Sequence, residues 1–302
     1  MLSIVLPSYF EEANVKYIYT QILAAVDDRD DLELIYVDDG SQDQTFEEVR
    51  ALAKKDPRVR GIRLSRNFGQ QAANLAGLNE AKGDEIVMMD ADGQHPPALI
   101  PVMIRKLSEG YDIVNTKRTD MEGAGFFRKV FSRIFYRIIN FLSDVNIDNS
   151  QVDFRIFNRA TLNAFLEFNE HNRFNRGIFT WMGFNQAQIE FRAGHRNSGQ
   201  SNYNFRKLTK LALDGITSFS TRPLRLCFYL GLIIIFSGMI YGIYAILNYF
   251  FGHTNPGWTS LLITILILGG VQLFSLGIIG EYLGRIFIET KKRPHYLIRE
   301  RV

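Results

Sequence analysis

The chain predicts an α/β domain built on a mostly parallel sheet, followed by a two-helix transmembrane hairpin, and three observations carry that prediction. In the first half of the 302 residues, short apolar runs alternate with segments of helical periodicity. Two long uncharged apolar runs follow near the C-terminus, Leu226 to Phe251 and Trp258 to Ile279. Polar and acidic residues collect where the apolar strands end, most clearly in EIVMMDADGQHPP at 85–97.

Strands are expected at Ser3 to Leu6, Leu32 to Val37, Val59 to Leu64, Glu85 to Met89 and Asp112 to Asn115. Helices are expected between them, at Val15 to Val26, Gln44 to Lys54, Gln70 to Ala81 and Ala98 to Glu109, with Pro96 and Pro97 suiting a first turn. That alternation implies right-handed crossovers, and ligands then bind outside the carboxyl ends of the strands. Four such ends are polar here. They carry Pro7, Tyr9, Glu11 and Glu12; Asp38, Asp39, Gly40 and Ser41; Arg66 and Asn67; and Asp90, Ala91 and Asp92. Any one could be capping chemistry, as Asp43 before the helix at Gln44 is read, but a packing role does not explain all four together.

The apolar runs exceed the roughly 20 residues that a hydrocarbon core requires, and neither has a polar face. Six residues, Gly252 to Gly257, join them, so both flanks should lie on one side of the membrane. Arg222, Arg225, Arg285, Lys291, Lys292 and Arg293 occupy those flanks while the link has no Lys or Arg, which places residues 1–225 and the C-terminal tail in the cytoplasm. The expected division is a domain over 1–204, a juxtamembrane helix over 205–225, spans over 226–251 and 258–281, and a basic tail over 282–302. No basic leader with a cleavage site is visible at the N-terminus. A formal charge of +3 is too mild to indicate nucleic acid, and a single cysteine, Cys227, excludes an intrachain disulfide framework and a Cys-based zinc site.

Asp90 and Asp92 are the candidate metal ligands, with Gln94 as a neutral oxygen donor, because hard divalent cations take carboxylate and carbonyl oxygens. An Asp-x-Asp taken alone also fits a surface turn or a helix cap. His95 could approach the same cation or serve as a cap or packing residue.

PSYFEEAN (7–14), VDDGSQDQT (37–45), LSRNFGQQAA (64–73) and MDADGQHPP (89–97) resemble the inverting nucleotide-sugar glycosyltransferases of GT-A fold. DFRIF (153–157), RNSGQSNY (196–203), the paired spans and GEYLGRIFIETKKRPHY (280–296) extend the resemblance over essentially the whole chain. Together they are similar to polyprenyl-phosphate glycosyltransferases, the relatives of dolichol-phosphate mannose synthase and the bactoprenol glucosyltransferases. The resemblance implies transfer of a sugar from a nucleotide-diphosphate donor to a lipid phosphate, with inversion at the anomeric carbon and Mg²⁺ or Mn²⁺ as cofactor. Glucose from UDP-glucose and undecaprenyl phosphate are the expected donor and acceptor. It also implies that Pro7, Tyr9, Glu11, Asp38 and Asp39 line the nucleotide pocket with Arg66 and Asp90–Asp92. Arg118 and Arg196 would hold phosphates, although a solvated loop arginine is the other reading of Arg118. Asp153 occupies the family's essential carboxylate, with Arg155 beside it. The second pKa of a lipid monophosphate lies near ~6, so the acceptor is largely deprotonated at neutral pH and the role of Asp153 stays open between base, acceptor positioning, placing Arg155 and steering the sugar.

From Phe126 to Leu142, apolar residues recur at helical spacing with Arg128, Lys129, Arg133 and Arg137 interspersed. This segment fits an interfacial helix on membrane lipids or an ordinary domain helix, and the nearby spans favour the first. Two positions depart from the family pattern: Gly93 stands where the metal motif continues with Leu, and Asn202 stands where a lysine precedes the tyrosine. Homo-oligomers are compatible with the resemblance. A processive polysaccharide synthase would share the nucleotide-sugar motifs, but Gln-x-x-Arg-Trp is missing and two spans make no obvious polymer channel. A noncatalytic membrane scaffold would not require four polar strand ends.

Overall fold

The computed structural model describes residues 1–26, 29, 31–119, 151–171, 173–192, 220–251 and 257–302. Its eight strands are β1 (Leu2–Ser8), β2 (Leu32–Asp38), β3 (Val59–Leu64), β4 (Glu85–Met88), β5 (Ile113–Arg118), β6 (Gln151–Asn158), β7 (Gln186–Phe191) and β8 (Ile298–Arg301). Around them lie α1 (Val15–Val26), α2 (Thr45–Ala53), α3 (Gln70–Glu80), α4 (Ile100–Ser108), α5 (Arg159–Glu167) and α6 (Asn175–Trp181), followed by α7 (Arg222–Phe250) and α8 (Trp258–Thr290).

The sheet order is β7-β5-β6-β4-β1-β2-β3-β8. The four strands β4, β1, β2 and β3 are mutually parallel, as crossover helices between them require, and β6 then runs antiparallel between β4 and β5. Side-chain alternation sends Leu2, Ile4 and Leu6 to a core beneath α1, α2 and α4, whereas Val5, Ile35 and Met88 face a second core with α3, α5 and α6. Both faces are covered, which explains why every residue of β1 is buried, Ser3 and Ser8 included.

Several boundaries differ from the sequence expectation. The helix expected at 98–109 opens as a 3₁₀ turn over Pro97–Leu99 and becomes α-helical only at Ile100. β5 continues to Arg118, beyond its apolar residues, because β6 and β7 supply partners on both sides. The 282–302 segment requires correction: α8 runs on to Thr290, and β8 pairs with the β3 edge instead of forming a separate tail. Gly61 and Val302 exchange both backbone hydrogen bonds at 2.9 Å, and Arg50 Nη2 meets Glu300 Oε1 at 2.5 Å. Short, polar β8 lacks strand periodicity, so its place is fixed by the unpaired edge that it covers.

Helices α7 and α8, of 29 and 33 residues, touch each other and present apolar side chains outward along their lengths. They are candidate membrane spans, and no part of either apolar window is buried by protein. The hydroxyl of Tyr282 donates to the Ser220 carbonyl at 2.7 Å, which brings the end of the hairpin back to its beginning. Because β8 re-enters the sheet, both ends of the hairpin lie on the side of the α/β domain. The expected interfacial helix at 126–142 and residues 205–219 of the juxtamembrane segment lie outside the described residues.

Candidate active site

The carboxyl ends of β1, β2 and β4 meet the opposite end of β6, and the register shows how. Met88, the last residue of β4, is paired with Arg155 of antiparallel β6, so continuing the register two residues past the end of β4 and two residues back along β6 brings Asp90 level with Asp153 on the face beneath α3 and α6. Asp90, Asp153 and Asp92 repel one another electrostatically, and burial followed by that repulsion pushes the Asp90 carboxyl up to about 8. Gln70 at the start of α3 offsets part of it, donating from Nε2 to Asp90 Oδ1 at 2.6 Å. The turn after Asp90 is held by His95, whose Nδ1 accepts the Asp90 N–H at 3.0 Å while its ring stacks on Phe154 at 5.2 Å. Burial keeps that imidazole neutral, lowering it to about 4 against the pull of Asp92 and Asp153. His95 is therefore a capping and packing residue. Gly93 has φ of 79°, which accounts for a glycine in place of the bulkier family residue.

Asp153 is buried but not isolated. Arg176, the second residue of α6, donates from Nε to Oδ1 at 3.0 Å and from Nη2 to Oδ2 at 3.2 Å, and Arg155 Nη2 reaches Oδ1 at 3.4 Å. Burial acts to raise the Asp153 pKa, but the attraction of Arg176 and Arg155 outweighs it and holds the carboxyl below its ordinary value. Arg155 is itself enclosed, with its guanidinium 4.6 Å over the Phe179 ring, and burial pulls it down to about 10. Arg176 was not legible in the sequence: Asn175-Arg176-Gly177 lies in no apolar period, and only its placement opposite β6 reveals it.

Asp39 differs from the pocket-lining expectation. Its Oδ1 accepts the Phe68 N–H at 2.7 Å and its Oδ2 the Gly69 N–H at 2.9 Å, so both oxygens fix the loop entering α3. Asp38 is fully enclosed, accepts the Ser41 N–H at 3.0 Å and lies 3.3 Å from Arg63 Nε. Burial raises both carboxyls, with these hydrogen bonds opposing the rise. Gly40 makes the close approach: at φ of 72°, an added Cβ would lie 2.5 Å from the backbone carbon of Arg66. Above this floor Tyr9 and Phe10 are exposed, with ring centroids 4.5 Å apart, while buried Pro7 of β1 lies opposite Val37 of β2 and Asn14 Nδ2 donates to Glu11 Oε2 at 2.5 Å. Arg66 lies 4.1 Å over Phe68, Ala91 is buried, and Arg118 Nη1 reaches Gln94 Oε1 at 3.4 Å at the edge of the cluster. Arg196 and Asn202 lie outside the described residues.

Among the described residues, no three His, Cys, Asp or Glu side chains form a closed metal cage. Asp90 and Asp92 supply two carboxylates at a crowded anionic point, and the Gln94 oxygen is engaged by Arg118. Two carboxylates in the open mouth of a sheet fit Mg²⁺ or Mn²⁺ completed by a ligand's phosphate oxygens and water.

Residues 3–166, more than half of the chain, match the family model described as Glycosyl transferase family 2. The chain belongs to this glycosyltransferase family. Within this family 2 enzyme, residues 222–286 match a second model, the GtrB C-terminal hairpin, which covers α7 and most of α8. The enzyme is 42% identical over 302 residues to the putative glycosyltransferase CsbB of Bacillus subtilis (strain 168), spanning 99% of this chain and 92% of that protein. It is 38% identical over 302 residues to the bactoprenol glucosyl transferase of Shigella phage SfX, spanning 99% of each. The prophage bactoprenol glucosyl transferase homolog of Escherichia coli (strain K12) is 38% identical over 300 residues, 99% of this chain and 98% of that protein. A crystal structure of glucosyl-3-phosphoglycerate synthase from Mycobacterium tuberculosis aligns over 72% of this chain and 77% of its own at 22% identity, with a TM-score of 0.49, a likeness too distant to assign anything here.

Proposed function

We propose that this glycosyltransferase moves glucose from UDP-glucose to a polyprenyl phosphate such as undecaprenyl phosphate, inverting the anomeric centre and leaving a polyprenyl-monophosphate sugar. One observation carries the reading: the acidic sheet edge and the apolar hairpin belong to one chain that matches, over its full length, proteins named for bactoprenol and glucose. In the transfer, a phosphate oxygen of the lipid forms the new bond to the anomeric carbon as the bond from that carbon to the donor diphosphate breaks. Bound at Asp90 and Asp92, Mg²⁺ or Mn²⁺ would neutralise the charge arriving on the leaving diphosphate.

The chain's own residues do the rest. Tyr9 and Phe10 offer an aromatic shelf for the base, and Asp38 and Asp39 act on the nucleotide through the loops they hold. Arg66 and Arg118, with Arg196, stand for phosphate contacts, where guanidinium geometry suits oxygen pairs. Asp153, held as a carboxylate by Arg176 and Arg155, orients the acceptor and the sugar. The acceptor phosphate needs no strong base, since its second pKa is near ~6. The Lys and Arg residues flanking the hairpin favour a cytoplasmic placement of the catalytic domain, on the side where nucleotide sugars are made.

A panel of radiolabelled nucleotide sugars, incubated with undecaprenyl phosphate and Mg²⁺ or Mn²⁺ and then extracted into organic solvent, tests this assignment. Label from UDP-glucose should enter the organic phase and be lost with Asp92→Ala. Label from another donor alone would replace the sugar, and no transfer from any donor would overturn the reading.

A further inference from the structure

The last turn of α8 meets the catalytic domain in a seam at the segment between α5 and α6. Glu289 Oε1 accepts the backbone N–H of His171 at 2.8 Å, and the His171 ring stacks on His295 at 5.6 Å with 27° between the planes. His295 lies in the short segment between α8 and β8, so the seam is tied to the sheet from behind. Two residues after His171, Arg173 is fixed to the end of α5: it donates to the carbonyls of Phe168 and Phe165 and lies 4.6 Å over the Phe165 ring. Asn175 then opens α6, with its N–H on Gln71 Oε1 at 3.3 Å, and the following residue is Arg176 on Asp153.

Helix α6 has seven residues, too few for its own hydrogen bonds to fix its direction. It is held by the burial of Ile178 and Phe179 in the core and, at its entry, by contacts of His171, Arg173 and Asn175 with the second helix of the hairpin, α5 and α3. α8 is about 50 Å long at ~1.5 Å per residue, whereas a hydrocarbon core is about 30 Å thick, so its Glu289 end projects beyond the bilayer toward the domain. A displacement of ~1 Å at a residue that orients reacting groups is enough to cost turnover.

We propose that Glu289 is a positioning residue: by holding the His171 N–H it ties the entry of α6, and thereby Arg176 and Asp153, to the second helix of the membrane hairpin. The catalytic consequence rests on the transferase reading above, whereas the structural link does not. Two tryptophans make the link separately observable. Trp181 ends α6 with its ring 5.6 Å from Phe168, and Trp258→Phe leaves it as the sole tryptophan, excited selectively at the red edge of the absorption band where the tyrosines do not absorb.

The experiment uses the full chain in lipid nanodiscs, measuring Trp181 emission and acrylamide quenching alongside transfer kinetics. Glu289→Ala should change Trp181 quenching and lower kcat about fivefold, the scale of one lost hydrogen bond at an exposed site, with the donor KM held within about twofold. Glu289→Gln keeps an acceptor oxygen and should restore both readouts, and the thermal midpoint should stay close to that of the parent in both variants. Unchanged quenching and kcat in Glu289→Ala, or a Gln variant that behaves like Ala, would overturn the proposal. A Trp181 signal that Glu289→Ala changes, with a parent that transfers no sugar, would overturn the transferase reading and leave the seam standing.

Discussion

Arg176 grips Asp153 with two parallel hydrogen bonds, Nε to Oδ1 at 3.0 Å and Nη2 to Oδ2 at 3.2 Å, and Arg155 approaches the same carboxylate from within its own strand. A carboxylate bracketed by two guanidinium groups is a weak base and a firm anchor. Among the roles that the sequence left open for Asp153, this geometry favours positioning over general base.

Arg176→Lys should therefore lower kcat by roughly 30-fold or more, because a point charge cannot bridge both oxygens as the planar fork does. Asp153→Asn should be at least as damaging. Donor affinity, measured by calorimetry, should change little in either variant, and a parallel loss of donor binding would place the pair in the nucleotide pocket.

The pH dependence separates a base from an anchor. If the lipid phosphate attacks unaided, kcat/KM should fall on the acid side near ~6, the second pKa of a phosphate monoester. The residual activity of Asp153→Asn should show the same acid limb, since Asp153 is already ionised there and stays so to lower pH. An acid limb that disappears in Asp153→Asn would make Asp153 the base.

Asp90 and Asp92 bear on the metal. Donor affinity in the parent should rise with Mn²⁺ and drop on chelation, while Asp92→Ala should bind donor weakly and without metal dependence. Binding that ignores chelation in the parent would remove the cation from the site.

Asp56 reports stability instead of activity. Tyr19 Oη donates to it at 2.9 Å and Arg58 Nη2 at 2.9 Å, and Arg58 leads the effects that lower its pKa to about 2. A depressed carboxyl stabilises the fold above its unfolded value of 3.8 and loses that contribution as pH falls toward about 2. Asp56→Asn should cost about 1–2 kcal/mol at neutral pH once solvent screening of the partly exposed Arg58 is allowed for. The gap from the parent should close as unfolding is measured from pH 4 down to pH 2, and a gap independent of pH would show that shape, not charge, is at stake.

Gly40→Ala tests the close approach beneath Arg66. With φ of 72° and a Cβ 2.5 Å from backbone, the substitution should destabilise the domain by about 2 kcal/mol or more and weaken donor binding through the displaced 66–69 loop. A thermal midpoint equal to that of the parent would contradict the approach.

What the sequence made legible follows from what each element depends on. β1, β2 and β4 are apolar because both faces are covered, so their ends, and with them Asp38, Asp39, Asp90 and Asp92, could be read directly. The use made of Asp39 could not, since nothing local says that its oxygens bind the amides of Phe68 and Gly69, about 30 residues away. Arg176 and Glu289 depend on contacts across the fold, and β8 depends on an edge more than 200 residues earlier in the chain. Side chains whose partners are distant leave no period to detect.

The proposed transfer yields a product with one sugar on one lipid phosphate. Mass spectrometry of the organic extract from purified enzyme, UDP-glucose, undecaprenyl phosphate and Mn²⁺ measures this directly. The predicted result is a single species heavier than the acceptor by one hexosyl residue, with one phosphorus retained and no such species from Asp92→Ala. A ladder of longer products, a second phosphorus in the product, or an unmodified acceptor would contradict the assignment.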